Sequence, residues 1–223
     1  MNIHSIPIIA IDGTSSSGKG TIAYRLAEHF SFHYLNSGAL YRLVAYIALT
    51  NNVSLSEKEA LIQIASDLKP IFKGKQVLVD GKDVWPIIST QEYGNHASVI
   101  SVIKELREAL FYAQRNMINS PGLVAEGRDM CTHVFTDAQV KLYLDADVTI
   151  RAERRLIDEE KKKTGKTLEI IVEELEARDH RDMTRDLGRL YPHDEALIVD
   201  TSNKTIDEVL HLCIEWCNTK ITH

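Results

Sequence analysis

Apolar residues recur along this chain at two spacings, and each change of spacing marks an element. Ile8-Ile9-Ala10-Ile11 is an unbroken apolar run closed by Asp12-Gly13, the pattern of a strand buried on both faces. After a Ser/Gly-rich loop, residues 22–30 take helical spacing and 32–35 read as a short second strand. Asn36-Ser37-Gly38 then opens an apolar helix over 39–50, and Ser56 with Glu59 has the capping-box spacing that starts another helix through Leu68. The pieces next become short. Ile71-Phe72, Gln76-Val77-Leu78-Val79 and Asp83-Val84 are β-like, and Lys73-Gly74-Lys75 and Asp80-Gly81-Lys82 between them are hairpin turns. They predict an antiparallel insert about 20 residues long. Helical spacing returns at Thr90, with Ile103, Leu106, Leu110, Ala113 and Met117 on one stripe, and stops at Ser120-Pro121-Gly122. Residues 123–125 and 140–144 read as strands, 148–160 as a charged helix interrupted at Thr164-Gly165, and 168–184 as a second helix. Residues 196–199 form the last strand, and Thr205 with Glu208 caps a final helix to Cys217.

Strands alternating with helices predict an α/β fold, a doubly wound parallel sheet of about five strands with a small antiparallel insert. In such sheets ligands bind beyond the carboxyl ends of the strands, so those ends are where chemistry is expected. The first delivers Gly13-Thr14-Ser15-Ser16-Ser17-Gly18-Lys19-Gly20-Thr21, the strand–loop–helix layout of a phosphate-cradling P-loop. Gly13 and Gly18 permit backbone angles that turn successive N–H groups inward on a polyphosphate. The new helix adds the positive end of its dipole, and Lys19 adds a full charge. Gly20 stands where such loops carry Ser or Thr, so the hydroxyl facing Mg²⁺ or a phosphate falls to Thr21. The second strand delivers Asn36-Ser37-Gly38-Ala39-Leu40-Tyr41-Arg42 and the third Glu126-Gly127-Arg128-Asp129. Polar and arginine residues at three neighbouring ends describe one anion-binding cleft. Asp145 and Asp200 also end strands and read as loop residues rather than acids of the chemistry.

Charge changes this picture in one region. Seven of the twelve arginines lie between 151 and 189, where eleven basic and eleven acidic side chains leave no net charge to attract polyanions generally. Placement matters instead. Arg151, Arg154 and Arg155 fall at i, i+3, i+4, and Arg178, Arg181 and Arg185 at i, i+3, i+7, each set on one helix face. Two such faces predict a lid closing over a triphosphate, where guanidinium forks offset charge and water is excluded. For the whole chain of 223 residues the net charge of −6 argues against a general nucleic-acid or anionic-membrane binder. No apolar run is long enough to span a bilayer, and the first residues lack the form of a secretory signal. Three cysteines without framework spacing predict reduced thiols and a cytoplasmic protein, with Cys213 and Cys217 facing the core.

The motifs, taken in order, resemble bacterial cytidylate kinases over essentially the whole chain. They are the P-loop in G-K-G-T form, Ser37-Gly38-x-x-Tyr41-Arg42, Thr90-Gln91-Glu92, Glu126-Gly127-Arg128-Asp129-Met130, and Arg178-Asp179-x-Arg181-Asp182-x-x-Arg185. The resemblance implies a single nucleoside monophosphate kinase domain: a core (1–68, 90–150, 186–223), an insert enlarging the monophosphate region (69–89) and a lid (151–185). It implies transfer of the γ-phosphoryl of ATP, with Mg²⁺, to CMP or dCMP by a cytoplasmic monomer. Carried over by motif, Asp12, Gly13, Thr14, Ser15, Ser16, Ser17, Gly18, Lys19, Gly20 and Thr21 would hold ATP, with no direct metal ligand except Thr21. Ser37, Arg42 and Arg128 would take the monophosphate, Ser98, Arg107 and Asp129 the cytosine, and Arg178, Asp182 and Arg185 the ribose and phosphate. Arg154, Arg155 and Arg181 are similar to lid arginines that reach the ATP phosphates and, with Lys19, Arg128 and Arg185, would carry the catalysis. Two departures stand out: Thr14-Ser15-Ser16-Ser17 where Pro and small residues are common, and Cys131 where Gly is usual, a thiol that could narrow the site or respond to oxidants. A GTP-dependent switch on the same loop is disfavoured, since no glycine has Asp three residues before it and Asp207 lies one position too late for N-K-x-D. Kinases of UMP, shikimate or dephospho-coenzyme A remain the alternatives within the class, and the insert and the Arg178-to-Arg185 pattern disfavour them.

Overall fold

The computed structural model describes residues 6–69, 71–74, 76–161 and 165–221. Its centre is β1 (Ile8–Gly13), buried at every position because both faces of the sheet are covered. Ile8 and Ala10 face one apolar layer, while Ile9 and Ile11 face the other. With β2 (His33–Asn36), β6 (Leu123–Glu126), β7 (Val140–Asp145) and β8 (Leu197–Asp200) it forms a five-stranded parallel sheet in the order β2-β6-β1-β7-β8. Helices α1 (Lys19–Phe30) and α9 (Ile206–Lys220) cover one face. The other is covered by α2 (Ser37–Thr50), α3 (Lys58–Asp67), α5 (Gln91–Ile100) and α6 (Lys104–Arg115). Because β6 inserts between β2 and β1, the carboxyl ends of those three strands open side by side.

The insert is an antiparallel sheet of β3 (Ile71–Lys73), β4 (Gln76–Val79) and β5 (Lys82–Asp83), with Phe72 opposite Val77 and Leu78 opposite Asp83. Val77, Val84 and Ile88 close it onto Ala39 and Leu43 of α2, and a short helix α4 (Trp85–Ile88) completes it. Across the cleft, α7 (Val148–Lys161) and α8 (Leu168–Thr184) pack through Ala152, Ile171 and Leu175. Gly165 takes a left-handed conformation, φ 70°, in the connection; Thr164 lies outside the described residues.

Two expectations are corrected, and one element is new. Ser56 does not cap α3: it pairs with the Ser54 hydroxyl, and Glu57, two residues before the expected Glu59, accepts from the Ser54 backbone N–H at 2.7 Å. The helix from Thr90 is two helices, because the chain turns at Ser101-Val102-Ile103 where the Ser101 hydroxyl donates back to the Ser98 carbonyl at 2.9 Å. After β6 the chain makes a π-helical turn, Met130–Val134, that no spacing announced. The box at Thr205 and Glu208 is present in both its hydrogen bonds. Among the described residues no helix is long and apolar enough to cross a membrane.

Candidate active site

Glycine geometry places the P-loop. Gly13, φ 151°, ends β1 so close to Leu144 that a Cβ would overlap that residue's carbonyl oxygen. Gly18, φ 87°, is the left-handed residue before α1. The loop between them is braced from outside. Thr14 donates its hydroxyl to Asp145 at 2.6 Å, the Ser15 N–H donates to Asp179 at 3.3 Å, and Thr201 donates to the Ser17 carbonyl at 3.1 Å. Lys19 donates to the Thr14 carbonyl at 2.9 Å and is 7% exposed. Burial, then the charge of Arg128, lowers its ammonium to about 7.

Opposite the loop, the other wall is built from β2, α2, α5, α6 and the segment after β6. Asn36 caps α2 by accepting from the Ala39 N–H, which sets Ser37 in the first turn, and the Ser37 hydroxyl donates to Gln114 at 2.6 Å. Arg42 lies one and a half turns on and donates to the carbonyls of Ile88 at 2.5 Å and Thr90 at 2.7 Å, which aim its guanidinium across the insert. Arg128 donates Nε to Asp182 at 2.8 Å and a terminal nitrogen to the Ser15 hydroxyl at 2.8 Å, joining three elements. Arg107 forms a buried ion pair with Asp129, and Arg185 lies 3.8 Å from Asp129 and 3.2 Å from Asp182. Gly188, φ 65°, lies against that pair, and a Cβ there would overlap both side chains. Arg178 leaves its Nε without a partner, and burial and Arg128 lower its guanidinium to about 9. Asp182 stays below the usual carboxylate range: burial opposes ionisation, and Arg128, Arg178 and Arg185 together outweigh it.

One cavity of about 880 Å³ connects these groups. It brings together Ser15 to Thr21, Ser37, Arg42, Ser98, Arg107, Arg128, Asp129, Arg154, Arg155, Arg178, Asp182 and Arg185. Ser98 is 3% exposed and accepts from Arg181 Nε at 3.1 Å, so it is no helix-surface serine; Arg181 itself stands behind the wall. Arg154 donates to the Thr201 hydroxyl and carbonyl at 3.0 and 2.6 Å, and Arg155 reaches Gln91. Three expected ATP contacts do not line the cavity. Gly13 and Thr14 lie beneath the loop, and Asp12 is fully buried, its carboxylate accepting from the N–H groups of Met130 at 2.7 Å and Cys131 at 2.8 Å. Burial and then Asp129 raise the Asp12 carboxyl to about 6. Arg151 also leaves the face it was expected to share with Arg154 and Arg155: it turns inward to the Ala146 carbonyl at 2.8 Å, the Ser15 carbonyl at 3.2 Å and Asp179 at 2.5 Å. Cys131 neither narrows the cavity nor offers a reactive thiol. It is 1% exposed against the Ala10 and Leu142 carbonyls, and burial pushes its pKa well up. Cys213 and Cys217 are likewise buried and free.

Gln91 and Glu126 stand within sequence motifs without an assigned role, and residue patterns do not single out Tyr34, Thr201, Lys204 or Ile206; all six line the cavity. Thr201, Lys204 and Ile206 follow β8, a carboxyl end that the strand rule covers. Their side chains carry no recognisable motif.

A family model described as cytidylate kinase matches residues 9–219. The chain is 43% identical over 210 residues to a cytidylate kinase of Ralstonia nicotianae, covering 94% of this chain and 91% of that one. It is 42% identical over 222 residues to a cytidylate kinase of Shewanella baltica, covering 97% and 96%. Among solved structures, TT1252 from Thermus thermophilus aligns over 98% of this chain and 99% of its own at 18% identity, TM-score 0.50. An uncharacterized protein from Eubacterium ventriosum aligns over 96% and 98% at 13% identity, TM-score 0.53. Both agree in fold.

Proposed function

The chain belongs to the cytidylate kinase family, and we propose how its arginine-lined cavity performs that family's reaction. The protein transfers the γ-phosphoryl group of ATP to CMP or dCMP, giving ADP and CDP or dCDP. The observation that carries the assignment of roles is a charge imbalance. Lys19, Arg42 and Arg178 converge on one cavity, and the carboxylate ion pairs described there go to Arg107, Arg128 and Arg185 instead. Ammonium and guanidinium groups held down by burial and by one another are what a site shaped for anions shows.

In this reading the amides of residues 15–21 and Lys19 hold the ATP phosphates, and Arg154 with Thr201, Lys204 and Ile206 bounds the nucleoside end. Ser37, Arg42 and Arg128 hold the acceptor phosphate; Arg178, Asp182 and Arg185 hold its sugar side; Ser98, Arg107 and Asp129 read the base. An acceptor phosphate oxygen attacks the γ-phosphorus in line, the new P–O bond forms as the bond to the β-phosphate oxygen breaks, and ADP leaves. The acceptor is a phosphate monoester whose second ionisation lies near pH 6, so no strong general base is required. Positioning and charge compensation by Lys19, Arg128, Arg155 and Arg185 do the catalysis, without a covalent intermediate. Thr21 and the buried Glu126 supply oxygen donors beside Lys19, and that donor set fits a hard cation such as Mg²⁺. When bound with ATP, the ion offsets charge on the β- and γ-phosphates.

The core, insert and lid divide the chain at 69–89 and 151–185, and the protein acts as a cytoplasmic monomer without nucleic-acid or membrane partners. A coupled assay across nucleoside monophosphates tests the base-reading roles. CMP and dCMP turn over best, and Asp129→Ala narrows the gap to AMP and UMP by orders of magnitude, because a buried site fitted to one base leaves polar groups unpaired with another. Equal preference in both proteins would remove Asp129 from the base site.

A further inference from the structure

Ser15 is the second residue after β1 and is 3% exposed. Its backbone is held by the base of the lid. The N–H donates to Asp179 of α8 at 3.3 Å, and the carbonyl accepts from Arg151 of α7 at 3.2 Å. Arg151 and Asp179 are themselves paired at 2.5 Å, so the two contacts close into one clamp. The hydroxyl takes a different partner. It accepts from a terminal nitrogen of Arg128 at 2.8 Å, and Arg128 comes from the segment after β6. A residue of the P-loop thus reaches across to a guanidinium of the opposite wall.

A guanidinium carries five N–H donors in one rigid plane. Three of those on Arg128 are engaged among the described residues: Nε with Asp182 at 2.8 Å, Nη2 with Ser15, and Nη1 with the Gly127 carbonyl at 3.2 Å. Two remain, one on each terminal nitrogen, on a side chain that lines the cavity. Two such groups on one planar fork match two oxygens of a phosphate. The direction of the fork depends on what holds the plane. Asp182 alone fixes it incompletely, because a single bond at Nε lets the plane swing and the same carboxylate is shared with Arg185 at 3.2 Å. Gly127 is adjacent in the chain and moves with Arg128. Ser15 is the second remote anchor, and its clamped backbone makes it a fixed one.

We propose that Ser15 is a positioning residue for phosphoryl transfer: with Asp182, its hydroxyl holds the Arg128 guanidinium so that the two remaining N–H groups face the acceptor phosphate. One residue of the ATP loop then sets the geometry of the acceptor site, and the two phosphates meet on a common frame. This rests on the reading of Arg128 as a contact to the acceptor phosphate.

Steady-state kinetics of the full chain, with KM read separately for ATP and CMP, test it. Arg128→Ala lowers kcat/KM for CMP, at saturating ATP, on the order of a thousandfold. Ser15→Ala keeps both backbone contacts and removes the hydroxyl alone. It lowers kcat/KM for CMP about tenfold, while KM for ATP stays within about twofold. A role confined to ATP binding or to stability would move KM for ATP or the thermal midpoint instead. In the Arg128→Ala background Ser15→Ala has no further effect, since the hydroxyl acts through the missing guanidinium. Losses that multiply, a loss confined to ATP, or full kcat/KM for CMP in Ser15→Ala would overturn the positioning role and leave the reading of Arg128 intact. Near-normal kcat/KM for CMP in Arg128→Ala would defeat that reading and the proposal together.

Discussion

Lys19 faces the cleft with its ammonium already weakened, to about 7, by burial and the neighbouring charge of Arg128. A bound polyphosphate reverses the electrostatic balance, so at pH 8 ATP binding draws a proton onto Lys19. Calorimetry in buffers of different ionisation enthalpy reads that uptake, and Lys19→Met abolishes it; identical heats in all buffers for the native protein would contradict the assignment. Asp12 titrates in the opposite sense. Its folded pKa of about 6 lies above the ordinary 3.8, so between about pH 4 and 6 the folded chain keeps a proton that the unfolded chain releases. The contribution of Asp12 to stability is therefore fully present below about pH 4 and is lost as the pH rises through 6. Asp12→Asn flattens that slope in denaturation curves taken across the window, and an unaltered slope would remove Asp12 as its source. The two residues also mark what a sequence discloses. Lys19 is legible because its role is local, fixed by Gly18 before it and α1 after it. Asp12 looked like part of the same loop, but its partners are the N–H groups of Met130 and Cys131, over a hundred positions away.

At the scale of elements, spacing located the arginine helices but not the direction of each side chain. Arg151 shares a face with Arg154 and Arg155 on paper, but in the fold Asp179 and the Ser15 and Ala146 carbonyls pull it inward, making it the tie between P-loop and lid. Arg151→Met leaves the buried carboxylate of Asp179 without its cation and costs about 3–5 kcal/mol, measured as a shift in urea unfolding. A shift below about 1 kcal/mol would show that the tie is not buried as described. Gly94 gives a contrasting case. Replacing a mid-helix glycine by alanine favours the helix by up to about 1 kcal/mol. The added methyl presses on a guanidinium that two carbonyls hold in place. Gly94→Ala therefore keeps or raises the unfolding midpoint while KM for CMP rises about tenfold; an unchanged KM would show that Arg42 moves freely. The break between α5 and α6 and the π-helical turn escaped the sequence for a common reason. Neither contains Gly or Pro at the turn: the first is closed by the local bond from the Ser101 hydroxyl to the Ser98 carbonyl, which has no motif of its own, and the second is tied to Asp12, over a hundred positions away.

For the molecule as a whole, alternation of strands and helices was enough to predict the parallel sheet, because the buried strands β1, β6 and β7 are mainly apolar, with Lys141 the one charged residue before a strand end. The polar ends of β1, β2 and β6 are neighbours as expected, but that β6 lies between the other two was not legible, because it depends on which helices cover which face. The surplus of guanidinium groups in the cavity makes ligand phosphate part of the balance of the folded state. CMP at a hundred times its Kd adds about 2.7 kcal/mol, a rise in midpoint of about 5–10 °C for a chain of this length. Cytidine at the same concentration gives a small fraction of it. Equal shifts would place recognition in the base alone. The cysteines are divided between the two sides of the sheet, Cys131 in one apolar layer and Cys213 with Cys217 in the other. Sealed and protonated, they meet an alkylating reagent only when the layer above them parts. The rate at which each thiol is trapped is thus a built-in clock for the breathing of its own side, and watching the clocks slow as nucleotides are added would report which half of the protein each substrate quiets.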